Sequence, residues 1–190
     1  MTGFSQSFDA ALAFAARAHR DQVRKGTDVP YIVHPVQVAL ILIRHGFEEH
    51  IAIAGLLHDA VEDTEATLAE IERRFGTEVA RLVDGVTEVK DEGGARRPWR
   101  VRKDEQLAHL AGADRDTAAL KAADALHNAQ TTLVELAASG AAVWGRFNAP
   151  AGDLVWYYGQ VARLCAERLG DHPLAAELLA AVDELERSRP

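Results

Sequence analysis

Along almost the whole chain, apolar residues recur every three to four positions, and alternating apolar–polar stretches are scarce. That rhythm predicts roughly nine helices joined by short polar breaks. The first runs from about Phe8 to Arg20, with Ser7 as candidate N-cap. A polar loop, DQVRKGTDVPYIVHP, leads to a second helix that opens near Pro35, where proline suits a first turn, and stops near Gly46. A third covers about Glu48 to Asp63. Thr67 and Glu70 form a capping box for a short helix ending at Gly76, and the next helix spans about Thr77 to Val86. TEVKDEGGARRP, residues 87–98, reads as a loop, with paired glycines, a proline and many charges. Beyond it the pattern predicts helices over about Trp99–Ala111, Thr117–Ala138, Pro150–Leu169 and Pro173–Arg187. No internal repeat or low-complexity linker interrupts them, so an all-α, single-domain bundle is the expected class.

Composition narrows this further. The 190 residues can bury a sizeable core, and 48% hydrophobic with only 6% aromatic content points to Ala, Leu and Val packing. One cysteine, Cys165, excludes an intramolecular disulfide and a cysteine-built zinc site, and it reads as a buried small apolar residue. No apolar run is long enough to span a bilayer, and MTGFSQSFDA lacks the basic and apolar regions of a leader, so a cytoplasmic location is expected. A net charge of −8 without a basic block argues against nucleic acid as a partner. It leaves room for a small anion held by a local group of Arg and Lys.

The third helix carries the candidate chemistry. In GLLHDAVEDT, His58 and Glu62 are four apart, as are Asp59 and Asp63, so each pair shares a face. Ionisable groups in an apolar helix are costly unless paired or bound to a metal. His34 precedes Pro35 at the mouth of the second helix, and Asp124 lies inside LKAADALHNAQTT with Asn128 and Thr131 on its face. Two histidines and two aspartates form a mixed nitrogen and oxygen set that suits Mn²⁺, Fe²⁺ or Zn²⁺ rather than Ca²⁺. Spacing alone does not make these groups converge. A His-Asp pair on a solvated face, a turn histidine before proline and a solvated helical aspartate fit the same residues.

Four segments in this order, AHRDQVRKGTDVPYIVHPVQVA, AGLLHDAVEDT, FGTEVARLVDGVTEV and LKAADALHNAQT, resemble the metal-dependent HD-domain hydrolases. More narrowly they are similar to the hydrolase part of the RelA/SpoT family and its stand-alone relatives, the small alarmone hydrolases. The resemblance implies an HD-type helical bundle as one domain over residues 1–190, with a motif-bearing core at 8–138 and a helical extension at 139–190. It implies one Mn²⁺ held by His34, His58, Asp59 and Asp124, and Glu62 and Asp63 as catalytic carboxylates near the attacking water. It places Arg24 and Lys25 beside a guanine base and Asn128 and Thr131 beside the nucleoside. The implied reaction removes pyrophosphate from the 3′ position of ppGpp or pppGpp, the degradation step of the stringent response.

Cations must clamp the leaving pyrophosphate. Candidates are Lys90, Arg96, Arg97, Arg100, Arg102 and Lys103, with Lys90 and Arg102 put first; a solvated basic patch is the plainer reading. His19 and His127 are expected to support or pack rather than ligate, and Tyr31 to line the pocket or cover the core. Two departures bear on substrate identity. Ala125 stands where the family usually has Arg or Lys directly after the motif aspartate, and residues 96–110 and 144–158 have no counterpart in the core motifs. A phosphohydrolase for another nucleotide, such as (p)ppApp or a nucleoside phosphate, is therefore the alternative. A catalytically inactive nucleotide-binding regulatory module ranks below it. A homodimer is compatible with this class, although no interface stripe is visible.

Overall fold

The computed structural model describes residues 5–190; residues 1–4, which begin the segment read against a leader, lie outside it. The nine expected helices are all present among the described residues, and the third is interrupted. The fold divides into two compact units, residues 1–90 and 91–190.

The first unit holds α1 (Gln6–Ala18), α2 (Val33–Arg44), α3 (Glu49–Leu57), α4 (Ala60–Asp63), α5 (Leu68–Phe75) and α6 (Thr77–Val86). The α1 cap is Ser5, not Ser7: the Ser5 side chain accepts from the Phe8 amide, and Ser7 is an exposed residue inside the helix. Helical rhythm does not separate two serines two positions apart, but the extended backbone of Ser5 does. The Thr67 cap on α5 is as expected, accepting from the Glu70 amide. Every residue of α3 from Ile51 to Leu57 is buried, the mark of a central helix rather than an amphipathic one. It packs on α1, α2 and α6.

Contact between α2 and α3 depends on Gly55. A Cβ there would stand 3.0 Å from Leu42 Cδ1 and 3.3 Å from both Cα and N of Ala39, so the backbones approach as closely as a missing side chain permits. Just beyond this contact the helix breaks. The Gly55 carbonyl, which an uninterrupted helix would offer to the Asp59 amide, lies 2.8 Å from His58 Nδ1. Asp59 takes φ −93° and ψ −6°, the sparsely populated bridge region common among active-site residues. Helical hydrogen bonding resumes with Asp63 N–H to Asp59 O at 2.9 Å.

Between α1 and α2, residues 22–31 form a hairpin-like loop. Val23 and Pro30 make an antiparallel bridge, and the Arg24 amide donates to the Val29 carbonyl at 2.8 Å. The Tyr31 amide closes its neck on the Gln22 carbonyl at 2.9 Å.

The second unit opens with a short hairpin where a loop was expected. Strands β1 (Asp91–Glu92) and β2 (Ala95–Arg96) pair antiparallel across Gly93 and Gly94. Both glycines have positive φ, 58° and 81°, as a tight primed turn requires. Helices α7 (Trp99–Gly112), α8 (Arg115–Ser139), α9 (Ala151–Leu169) and α10 (Pro173–Arg187) follow, with a 3₁₀ turn at Gly140–Arg146. The α8 helix is the Ala-rich one; Ala118, Ala119, Ala122 and Ala123 are fully buried where α9 and α10 pack on it. Cys165 is buried in α9, and burial pushes its thiol up to about 12, so it behaves as an apolar filler. No helix among the described residues is long and apolar enough to cross a membrane.

Gly55→Val is expected to destabilise the protein by about 1–3 kcal/mol, because the Ala39 backbone cannot yield as a side chain would. Urea unfolding measures this; an unchanged midpoint would show that α2 and α3 have room to part.

Candidate active site

His34, in the first turn of α2, and His58, at the end of α3, are both buried, at 1% and 3% exposure. Their rings sit with centroids 5.1 Å apart at 70°. Asp59 Oδ2 lies 3.4 Å from His34 Nε2 and 3.2 Å from His58 Nε2. One ligand atom from each of the three residues falls within 4.8 Å of the others. Two donors each about 2.1 Å from a common ion stand about 3.0–3.4 Å apart, which is the spacing of the carboxylate oxygen from each ring.

Chemistry supports the same fit. The acceptor facing His58 Nδ1 is a carbonyl oxygen, so Nδ1 carries a hydrogen, and in the neutral ring Nε2 carries the lone pair. That lone pair points at a carboxylate oxygen. Two acceptors face to face in a buried setting repel unless a cation or a proton lies between them.

One turn on, α4 brings Glu62 and Asp63 to the same region of the first unit. Glu62 accepts the Glu88 amide at 2.9 Å and the Lys90 ammonium at 2.8 Å. Lys90 also donates to Asp63 Oδ1. The ammonium therefore bridges both carboxylates, only 21% exposed. Burial alone would lower the Lys90 ammonium, but Glu62 and Asp63 outweigh it and raise it. Glu62 is pushed above the ordinary carboxylate range, first by burial and then by the Asp59 charge, against the pull of Lys90.

Tyr31 belongs to this cluster, although sequence reasoning left it between pocket and core. Its hydroxyl donates 2.7 Å to Asp59 Oδ2 and lies 3.3 Å from Asp63 Oδ2. Burial and the two carboxylates raise its phenol far above the usual value, so it stays a donor. Gln22, not singled out from sequence, donates from Nε2 to the Asp63 carbonyl at 2.6 Å. No local signal marks Gln22: its contact spans 41 positions. A groove of ≈ 810 Å³ borders the outer side of Asp63 and Gln22; none of His34, His58 and Asp59 lines it.

Arg24, on the hairpin, places its guanidinium over the Tyr31 ring at 5.6 Å, and Lys25 follows it at the exposed tip. The remaining candidates lie in the second unit. Asp124 on α8 accepts from Lys121 Nζ at 2.8 Å and from Asn128 Nδ2 at 2.6 Å. Thr131 hydroxyl bonds the His127 carbonyl one turn back. Arg102 is buried and donates from Nε to the Arg97 carbonyl at 3.1 Å. Its neighbours pair with local acids, Arg97 with Glu105 and Arg100 with Asp104, and Arg100 stacks 3.6 Å over Trp156.

The helical fold and the His-Asp pair at a helix break define a class, and the family of HD domains matches residues 11–152: this chain is a member of that family. Among its relatives is the guanosine-3′,5′-bis(diphosphate) 3′-pyrophosphohydrolase of Aquifex aeolicus, 47% identical over 85 residues, which are 45% of this chain and 12% of that protein. The human pyrophosphohydrolase MESH1 is 42% identical over 121 residues, 62% of this chain and 65% of that protein. The chain thus spans less than two thirds of either relative. A solved structure of a metazoan ortholog of SpoT that hydrolyses ppGpp superposes with a TM-score of 0.73 at 29% identity, covering 98% of this chain and 97% of the other.

The raised Glu62 carboxyl carries a consequence for stability. A group whose folded pKa lies above its unfolded one contributes stability at low pH that is lost as pH rises through the folded value. Glu62→Gln escapes that loss. In metal-free protein its stability relative to wild type is expected to be greater at pH 7 than at pH 4. Chelator-treated samples unfolded in urea at both pH values provide the check; a difference independent of pH would contradict the assignment.

Proposed function

We propose that this chain is a metal-dependent phosphohydrolase that removes the 3′-pyrophosphate of ppGpp and pppGpp, giving GDP or GTP and pyrophosphate. The observation that carries the proposal is the His34, His58 and Asp59 ligand group with Glu62 and Asp63 one turn further along. The names of the relatives support the substrate.

Asp124 joins as fourth ligand on the strength of the sequence motif. The mixed nitrogen and oxygen set favours Mn²⁺, with Fe²⁺ and Zn²⁺ as substitutes. A divalent ion in such a set supplies Lewis acidity, lowering the pKa of water and polarising a phosphoryl oxygen. The chain's own residues do the rest. Water attacks the phosphorus carried on the ribose 3′ oxygen, the P–O3′ bond breaks with the 3′ oxygen as leaving group, and that oxygen receives the proton that Glu62 took from the water, releasing pyrophosphate and the nucleotide. Glu62 accepts the proton of the attacking water, a role that its raised pKa suits. Asp63 orients that water. Lys90 has three N–H donors and spends two on these carboxylates, which leaves one for a phosphoryl oxygen.

Arg24 stacks on the guanine while Lys25 reaches its edge, as a planar guanidinium and a point charge can. Asn128 and Thr131 contact the nucleoside, and Arg102 is retained as a pyrophosphate contact from its place in the sequence. In this reading residues 8–138 are the working core of one hydrolase domain, residues 139–190 extend it, and the enzyme acts in the cytoplasm. It works as a monomer or a homodimer.

A second reading keeps the chemistry and changes the substrate. Ala125 leaves no cation directly after Asp124, a departure that favours an adenine alarmone or another nucleoside phosphate.

Incubating chelator-treated protein with ppGpp, with and without Mn²⁺, and separating products by ion exchange tests the first reading. Mn²⁺-dependent release of GDP and pyrophosphate is expected; intact ppGpp beside bound Mn²⁺ would pass the site to the second. His58→Ala or Asp59→Ala should remove metal and activity together. The double change Glu62→Ala, Asp63→Ala should leave metal bound and lower turnover by about 10²–10⁴-fold. Full turnover in any of these variants contradicts the roles given.

A further inference from the structure

We propose that Tyr31 and Gln22 are positioning residues that fasten Asp63, and through Tyr31 also Asp59, to the hairpin carrying Arg24 and Lys25. The inference rests on the function proposed above and extends it to two residues of the first motif segment that carry no catalytic, ligand or substrate role there.

The two contacts hold Asp63 at different points. Tyr31 holds the carboxylate end, at 3.3 Å from Oδ2, and Gln22 holds the backbone, at 2.6 Å from the carbonyl. Asp63 ends α4, where a helix leaves its last carbonyls without an intrahelical partner. Gln22 satisfies that carbonyl from 41 residues away, where a local cap would be usual.

The holders are themselves held. Tyr31 N–H bonds the Gln22 carbonyl at 2.9 Å, so the two residues face each other across the hairpin neck. His19, buried at 2% exposure, places Nδ1 2.7 Å from Gln22 Oε1, which orients the amide so that its NH₂ points at Asp63. The His19 ring lies on the Tyr31 ring, with centroids 4.9 Å apart and planes 30° from parallel. Every part of this frame comes from residues 19–31 and 59–63, all in the first unit.

The consequence is mechanical. Arg24 and Lys25 project from a hairpin whose neck is bonded to Asp59 and Asp63. A substrate that seats on Arg24 therefore presses on the same frame that aims Asp63, and errors of about 1 Å in such aim cost on the order of 10²-fold in rate. The two neck residues also differ: the Tyr31 hydroxyl touches Asp59 as well as Asp63, whereas the Gln22 amide NH₂ bonds Asp63.

That difference supplies the test, with the full chain as wild type, Tyr31→Phe and Gln22→Met. Both substitutions keep side-chain bulk, and thermal melting of metal-free samples checks that each folds. Mn²⁺ affinity is read by titration calorimetry, and kcat and KM are measured with ppGpp. Tyr31→Phe is expected to weaken Mn²⁺ by about tenfold or more and to lower kcat by about 10–100-fold, the usual cost of removing a partner that orients a ligand. Gln22→Met is expected to keep Mn²⁺ affinity within about twofold while kcat falls about tenfold. Wild-type affinity and kcat in Tyr31→Phe would overturn the proposal. So would a Gln22→Met protein that loses metal and turnover in equal measure, because that marks general loosening. Should the wild type leave ppGpp intact, the function reading falls, and the Mn²⁺ affinities alone then decide the positioning roles. Weaker binding in Tyr31→Phe with unchanged binding in Gln22→Met upholds them, and three equal affinities refute them.

Discussion

The close approach of α2 to α3 at Gly55 is the constraint on which the candidate site depends. His34 belongs to one helix and His58 to the other, so the distance between their rings is set by how near the two backbones come. A side chain at Gly55 would meet the Ala39 backbone at 3.3 Å and push the helices apart. The same glycine offers its carbonyl to His58, which fixes the proton on Nδ1 and turns Nε2 towards Asp59. One residue thus bears on both the spacing of the ligand group and the ring orientation of one member. Ring spacing, tautomer and helix break share a single local cause.

A second constraint is charge. Asp59, Glu62 and Asp63 gather three carboxylates within a turn and a half of chain, which in a part-buried setting costs free energy unless it is offset. The offsets are visible: the Lys90 ammonium on Glu62 and Asp63, the Glu88 amide on Glu62, and the Tyr31 hydroxyl on Asp59 and Asp63. They are incomplete at Glu62, whose pKa remains raised. In the proposed role that incompleteness helps, since a carboxylate with a raised pKa is the stronger proton acceptor. The stability forgone at Glu62 is the familiar trade between a strained site and a robust fold.

How much of this was legible in sequence follows from the range of each interaction. Helices are local, and their rhythm gave all nine segments, including the α5 cap at Thr67. The convergence of His34 with His58 and Asp59 is not local; it was implied by a family resemblance, and spacing alone left it open. The break at residues 58–59 escaped because a buried helix reads the same whether its hydrogen bonds run on or pause for a histidine. The 91–96 hairpin escaped because two-residue strands carry no alternation, although Gly93-Gly94 held the signal of a primed turn. Gln22 could not be found at all, because a glutamine that caps a carbonyl 41 residues away looks like any polar loop residue.

The α8 helix holds its motif aspartate with side chains of its own. Ala125 provides no charge after Asp124, yet Lys121, one turn before it, bonds Oδ2 at 2.8 Å and is itself only 14% exposed. Residues three apart share a helix face, so Lys121 sets a cation against Asp124 from the preceding turn. Asn128, one turn on, bonds the other oxygen at 2.6 Å, so both oxygens of Asp124 are held by side chains of their own helix. A carboxylate held at both oxygens in this way keeps its rotamer. The price is competition, because any ion that took Asp124 as a ligand would share it with an ammonium. In Asn128 the proposed nucleoside contact and the proposed ligand are tied by one hydrogen bond, so a change at either position acts on both.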